Sequence, residues 1–101
     1  MIIAIVRFAL PTPMSPAEAT AVFEASAPAY QSVPGLRRKH YLLAEDGRTA
    51  GGVYLWDSRE QADALYDAAW RERLTARYGA PPSVEFFESP VTVDASAITV
   101  G

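Results

Sequence analysis

The sequence contains no cysteine, which excludes a disulfide scaffold and thiolate chemistry. It contains one histidine, His40, too few for a structural zinc site, which draws on several His or Cys ligands. Lysine is equally scarce, and Lys39 stands alone. No apolar run approaches the ~18–20 residues that cross a bilayer. Met1–Leu10 is apolar but lacks the basic start and small-residue cleavage site of a signal peptide. A net charge of −3 does not suit a protein that binds a phosphate backbone. The expectation is a soluble, cytoplasmic protein with no metal, no membrane and no nucleic-acid partner.

What is present is hydrophobic mass. The 101 residues fit one domain, and 50% of them are hydrophobic, which excludes an intrinsically disordered chain. Two Trp, five Tyr and four Phe stand out. Each ring buries about 150–250 Å² when enclosed, so this many imply burial beyond one simple core. Function should therefore lie in the lining of a surface or cavity.

Along the chain, Ile2–Phe8 is β-branched and nearly continuously apolar, as in a strand covered on both faces. Ser15-Pro16-Ala17-Glu18 forms a capping box with proline at the first helical position, predicting a helix to about Ala27, limited by Pro28. Its stripe is Ala19, Val22, Phe23 and Ser26. Leu36–Ala44 and Thr49–Asp57 read as strands joined by a tight Asp46-Gly47 turn of type I′. Gly51 and Gly52 mark a bulge or a close approach to the backbone. Ser58 caps a second helix running to Gly79, with the stripe Ala62, Leu65, Tyr66, Ala69, Trp70 and Leu74. Ser83–Phe87 and Val91–Asp94 form a last strand or strand pair, placing residues 1–94 in one domain and 95–101 in a tail whose Ile98 and Val100 can dock on something. The order β-α-β-β-α-β predicts an α+β, ferredoxin-like domain: a four-stranded antiparallel sheet with both helices on one face.

The hairpin turn sets the facing pairs. With Asp46-Gly47 as the turn, partner numbers sum to 93, so Tyr41 faces Gly52, Lys39 faces Tyr54 and Arg37 faces Trp56. These side chains share one face, and Arg38, His40 and Leu42 share the other with Leu55, Val53 and Gly51. The aliphatic set suits packing under the helices. The aromatic set is then left on the open face, where three large rings need another protein surface, a ligand, or both.

Pro34-Gly35-Leu36 with Lys39, then Gly51-Gly52-Val53-Tyr54-Leu55-Trp56, then the helix ending Tyr78-Gly79, resembles the YdhR-like monooxygenase family of the dimeric α/β-barrel superfamily. The resemblance spans about Met1 to Asp94. It implies a homodimer in which two open sheet faces pack into an eight-stranded barrel. It also implies oxidation of small aromatic or polycyclic compounds without metal or organic cofactor. Some relatives carry histidines on the second helix or in the cavity. Here that helix has none and holds Trp70 at its middle, so a histidine mechanism is not carried over.

Within that frame Lys39 is the candidate catalytic residue, a cation to hold a phenolate or enolate as an oxyanion hole would. Its structural alternative is an ion pair or a packed alkyl stem. Tyr41, Tyr54 and Trp56 are candidates to stack on a flat ligand, or else form interface core. Tyr66 and Trp70 line a helix–sheet pocket or simply fill the core, with Phe23 and Tyr30 closing the other side. His40 is assigned a structural place under the helices, and Arg71, Arg73 and Arg77 a solvated helix end. The competing function is a non-catalytic, stress-related dimeric barrel that binds a small hydrophobic ligand.

Overall fold

A computed structural model describes residues 1–100; Gly101, the last residue of the expected tail, lies outside the described residues. Strand β1 (Ile2–Ala9) leads through a capped loop into helix α1 (Pro16–Tyr30). Ser15 and Glu18 form the expected capping box, Ser15 Oγ accepting from the Glu18 N–H and Glu18 accepting from the Ser15 N–H. Pro28 does not stop α1: it sits in the last turn, and the helix ends three residues beyond Ala27. Strands β2 (Leu36–Leu43) and β3 (Thr49–Trp56) form the central hairpin, and β4 (Ser83–Glu88) completes the sheet. The order β2-β3-β1-β4, antiparallel throughout, is the ferredoxin-like arrangement.

The second helix is two helices. α2 (Arg59–Leu65) ends at Tyr66, and Asp67 caps α3 (Ala68–Tyr78) by accepting the Trp70 N–H at 2.8 Å. Arg71 turns back to donate to the Tyr66 carbonyl instead of pairing with Asp67. The break re-phases the buried stripe, which runs Trp70, Leu74, Tyr78 on α3 and leaves Ala69 exposed. Gly79, in the left-handed region at φ 78, ends α3 as predicted.

The hairpin register matches the expected sum at Tyr41↔Gly52, His40↔Val53, Lys39↔Tyr54 and Arg38↔Leu55. The turn that produces it differs. No non-glycine residue has positive φ, so Asp46 cannot serve a type I′ turn. A four-residue loop, Glu45–Arg48, is closed by Ala44 N–H to Thr49 O, with Gly47 alone in the left-handed region. Both loops centre on the same point, so the pairing survives. A bulge between Leu36 and Arg38 then puts Leu36, not Arg37, opposite Trp56, and Arg37 swings out to pair with Asp57.

The faces are inverted relative to the sequence expectation. The rows Phe86–Ala4–Tyr54–Lys39 and Val84–Val6–Gly52–Tyr41 lie under the helices with Trp56. The rows Phe87–Ile3–Leu55–Arg38, Glu85–Ile5–Val53–His40 and Ser83–Arg7–Gly51–Leu42 form the uncovered face. Arg7 explains the choice. Its row partners Gly51, and with it Val53, Leu55 and His40, must share whichever side keeps that guanidinium in water, where it meets Glu85 at 3.2 Å. Gly51 has a local reason to be glycine, since a Cβ there would lie 1.8 Å from the Val6 carbonyl oxygen.

Beyond β4, strand β5 (Val91–Val93) pairs with β6 (Ile98–Val100) in a separate two-stranded hairpin. Its turn is built on Asp94, which accepts from the Ser96 and Ala97 N–H groups. Every residue of this hairpin is exposed, from Val91 at 50% to Val100 at 78%.

Candidate functional site

The layer between helices and sheet is built of rings. Tyr54 stacks near-parallel to Trp56 at 6.3 Å, and Tyr66 meets both edge-on at 5.4 and 5.7 Å. Trp56 donates its indole N–H to the Tyr66 oxygen at 3.1 Å, satisfying a fully buried donor. Tyr66 in turn packs on Trp70 at 4.7 Å. Trp70 donates to the Tyr30 hydroxyl at 3.1 Å, which ties the C-terminal end of α1 to the start of α3. On the other side Phe23 stacks on Tyr41 at 4.7 Å. The Ser26 hydroxyl donates to the Phe23 carbonyl, so the Tyr41 hydroxyl, 2.7 Å away, donates to Ser26 Oγ.

Lys39 lies in the middle of this arrangement. Its Nζ stands 3.4 Å from the Tyr30 ring centre, 3.8 Å from that of Tyr41 and 4.6 Å from that of Tyr54, within cation–π range of all three. Gly52 makes room for it: a Cβ there would press on Tyr54 Cε1 at 3.1 Å and on Lys39 Cε at 3.3 Å. Burial, with the positive charge of Arg77 adding to it, pushes the Lys39 ammonium down to about 7. Burial also raises the Tyr41, Tyr54 and Tyr66 hydroxyls, keeping them neutral hydrogen-bonding groups.

Two spaces adjoin Lys39. An outer cavity of about 350 Å³ is lined by Ala27, Tyr30, Leu36, Arg38, Lys39 and Tyr41, among others. An inner one, bordered by Tyr54, Ser26, Arg77 and Tyr78, measures about 10 Å³, room for one water at most. Lys39, Tyr30 and Tyr41 are the wall between the two.

Of the residues named from sequence, Lys39 and Tyr41 therefore line the outer cavity and Tyr54 the inner one. Trp56, Tyr66 and Trp70 lie beneath them as a sealed floor and touch neither space. His40 is on the opposite face of the sheet, exposed, and not under the helices. Arg37 is exposed and paired with Asp57, and it too lines the outer cavity. Ser26 and Arg77 were not anticipated. Ser26 left a signal, as the one hydroxyl on the buried stripe of α1. Arg77 left none: nothing in its local pattern sets it apart from the exposed Arg71 and Arg73.

The linkage between Lys39 and stability has a definite sign. The unfolded chain keeps this proton up to the ordinary lysine value of 10.5, while the folded protein gives it up near 7. Between those values the unfolded state binds the extra proton, so stability rises with pH. Above about pH 10 the raised tyrosines Tyr54 and Tyr66 reverse the trend, because the folded state then holds the protons. The urea midpoint should climb from pH 7 to about 10 and then fall, and Lys39→Met should flatten the climb.

The comparisons with known proteins bear on the fold and the family. Residues 3–101 match the family described as "Putative mono-oxygenase ydhR". No curated protein sequence matches the chain significantly. Among solved structures, the monooxygenase ActVA-Orf6 of Streptomyces coelicolor, in complex with the ligand Nanaomycin D, superposes with a TM-score of 0.69 at 21% identity, over 94% of this chain and 92% of its own. SnoaB, a cofactor-independent oxygenase from Streptomyces nogalater, gives 0.64 at 19% identity, over 95% and 97%. Rv0793 from Mycobacterium tuberculosis gives 0.60 at 17%, over 96% and 100%. At such identities these structures establish a shared fold. The match over nearly the whole sequence establishes the rest: this chain belongs to the YdhR mono-oxygenase family.

Proposed function

We propose that this protein is a cofactor-independent monooxygenase of the cytoplasm that oxidises a small aromatic or polycyclic compound, and that it works as a homodimer. The observation that carries the enzymatic reading is the position of Lys39: a lone amine at the wall of a cavity of about 350 Å³, with rings around it and, among the described residues, no carboxylate paired to it. Near neutral pH such an amine can take a proton from a phenol or an anthrone-type CH₂ and then hold the resulting anion as an ammonium. The electron-rich anion reduces O₂, and the balance is R₂CH₂ + O₂ → R₂C=O + H₂O. Tyr41 offers the substrate its edge, since Phe23 and Lys39 cover its two faces, and Tyr30 lines the cavity beside it. Tyr54 backs Lys39, and Trp56, Tyr66 and Trp70 hold the floor rigid beneath them. The likeness in fold to ActVA-Orf6, a monooxygenase, and SnoaB, a cofactor-independent oxygenase, together with the family match, supports this reading.

Oxygen-electrode assays with an anthrone or a quinol, without added flavin or metal, should show turnover. Lys39→Met should lower kcat/KM by about 100-fold, the usual scale for a lost acid–base group. Lys39→Arg should keep substrate affinity but not the rate. Full turnover by Lys39→Met would refute the role given to Lys39. Saturable tryptophan quenching by these compounds with no oxygen uptake would favour a binding protein instead.

The dimer rests on the uncovered face. Ile3, Ile5, Val53, Leu55, Leu42 and Phe87 form a continuous apolar surface on the side without helices. A monomer rarely leaves such a patch in water. A second copy is the occupant the family implies, and the exposed valines and isoleucine of the β5–β6 hairpin can extend the contact. Sedimentation at micromolar concentration should give twice 11.0 kDa. Val53→Glu should give a folded monomer, and a wild-type monomer would refute the assembly.

A further inference from the structure

Lys39 has a second chemistry open to it that needs no oxygen. Its Nζ makes no hydrogen bond and no ion pair with any described residue. Among the described residues no fully buried side-chain polar atom lacks a partner, so the unpartnered Nζ retains some accessible surface. It stands at the wall of the outer cavity, which is open and large enough for a flat bicyclic molecule.

We propose that Lys39 is a covalent capture site for carbonyl compounds, its amine condensing with an aldehyde or ketone on an aromatic ligand seated in the outer cavity. The nitrogen lone pair attacks the carbonyl carbon and a C–N bond forms. The carbonyl oxygen then leaves as water with the two amine hydrogens: R₂C=O + H₂N–R′ → R₂C=N–R′ + H₂O. No oxidant or cofactor enters this balance. The cage fits both ends of the step. When the imine is protonated it is again a cation, and the faces of Tyr30, Tyr41 and Tyr54 serve it as they serve the ammonium.

The groups acting on the amine favour its neutral, nucleophilic form. Tyr30 faces it from α1, Tyr41 from β2 and Tyr54 from β3, each with an aromatic ring and not a carboxylate. Arg77 on α3 adds like charge, and among the described residues no carboxylate opposes it. A desolvated lysine of this kind is the usual Schiff-base nucleophile. Arg37, paired with Asp57, and Arg38 line the same cavity as further cations, while His40 lies on the opposite face of the sheet.

The chain makes the test unusually clean, since Lys39 is its only lysine. The folded protein is incubated with 2-naphthaldehyde and sodium cyanoborohydride at about pH 7.5, and adducts are read by intact mass and peptide mapping. The same reaction is run on the chain unfolded in urea. The expected result is an adduct on Lys39 beside that on the terminal amine, formed at Lys39 at least about tenfold faster in the folded protein, reflecting the larger neutral fraction of its amine. That excess should vanish above about pH 10.5, where the amine is neutral in either state. The Lys39→Arg protein should carry no such adduct. Labelling confined to the terminal amine, or no faster at Lys39 in the folded protein than in urea, would overturn the proposal. The readout is a mass, not oxygen uptake, so it stands or falls separately from the oxygenase reading.

Discussion

The arrangement of this molecule depends on keeping one amine inside a box of aromatic rings. Removing a lysine from water is costly, and about 2 kcal/mol per well-placed ring face is the upper scale of what cation–π contact returns. The deficit appears as a loosened proton. Much of the local structure serves to hold the box shut. Asp67 breaks the second helix and caps α3, which fixes the Trp70 backbone. The Trp70 indole then holds the Tyr30 hydroxyl, and Tyr30 lies over Nζ. From the other side Ser26 anchors Tyr41, and Gly52 leaves space for the lysine stem. No one of these contacts is strong, but each restricts a ring that would otherwise turn away.

Much of this was legible in the sequence. The element order, the capping box at Ser15, the Gly79 stop and the hairpin pairing all follow from local rules, and the Tyr–Lys–Tyr grouping follows from the pairing. What failed was the choice of face. Alternation fixes which side chains go together but not which way they point. The deciding residue, Arg7, acts through its pairing with Gly51, and that pairing joins distant parts of the chain. The same non-local character hid the helix break. Tyr66 and Asp67 fit a continuous amphipathic stripe as well as they fit a terminus and a cap, and packing of Trp70 against the sheet selects the second. The type I′ turn failed for a smaller reason: Asp46 declines the left-handed region that Gly47 accepts, and two more residues join the loop without moving its centre.

The inversion of faces separates two tasks that the sequence reading had merged. The rings and Lys39 belong to the helix-covered layer, where a single chain already builds the cavity wall. The uncovered face is aliphatic, edged by His40, Arg38 and the Arg7–Glu85 pair, and suits protein contact more than chemistry. In the proposed function the first side carries oxygen chemistry and the second carries assembly. A chain of this length can carry both because they use opposite sides of one sheet.

The ionisation of Lys39 tests the account at its root. In protein labelled with ¹³Cε-lysine, one resonance reports the only lysine, and its shift can be followed from pH 5 to 11. An enclosed, unpaired amine predicts a midpoint about 7, with the Cε protons moved upfield by the ring currents of Tyr30, Tyr41 and Tyr54. A midpoint near 10.5 with unshifted protons would mean the side chain lies in water, and the box described here does not exist.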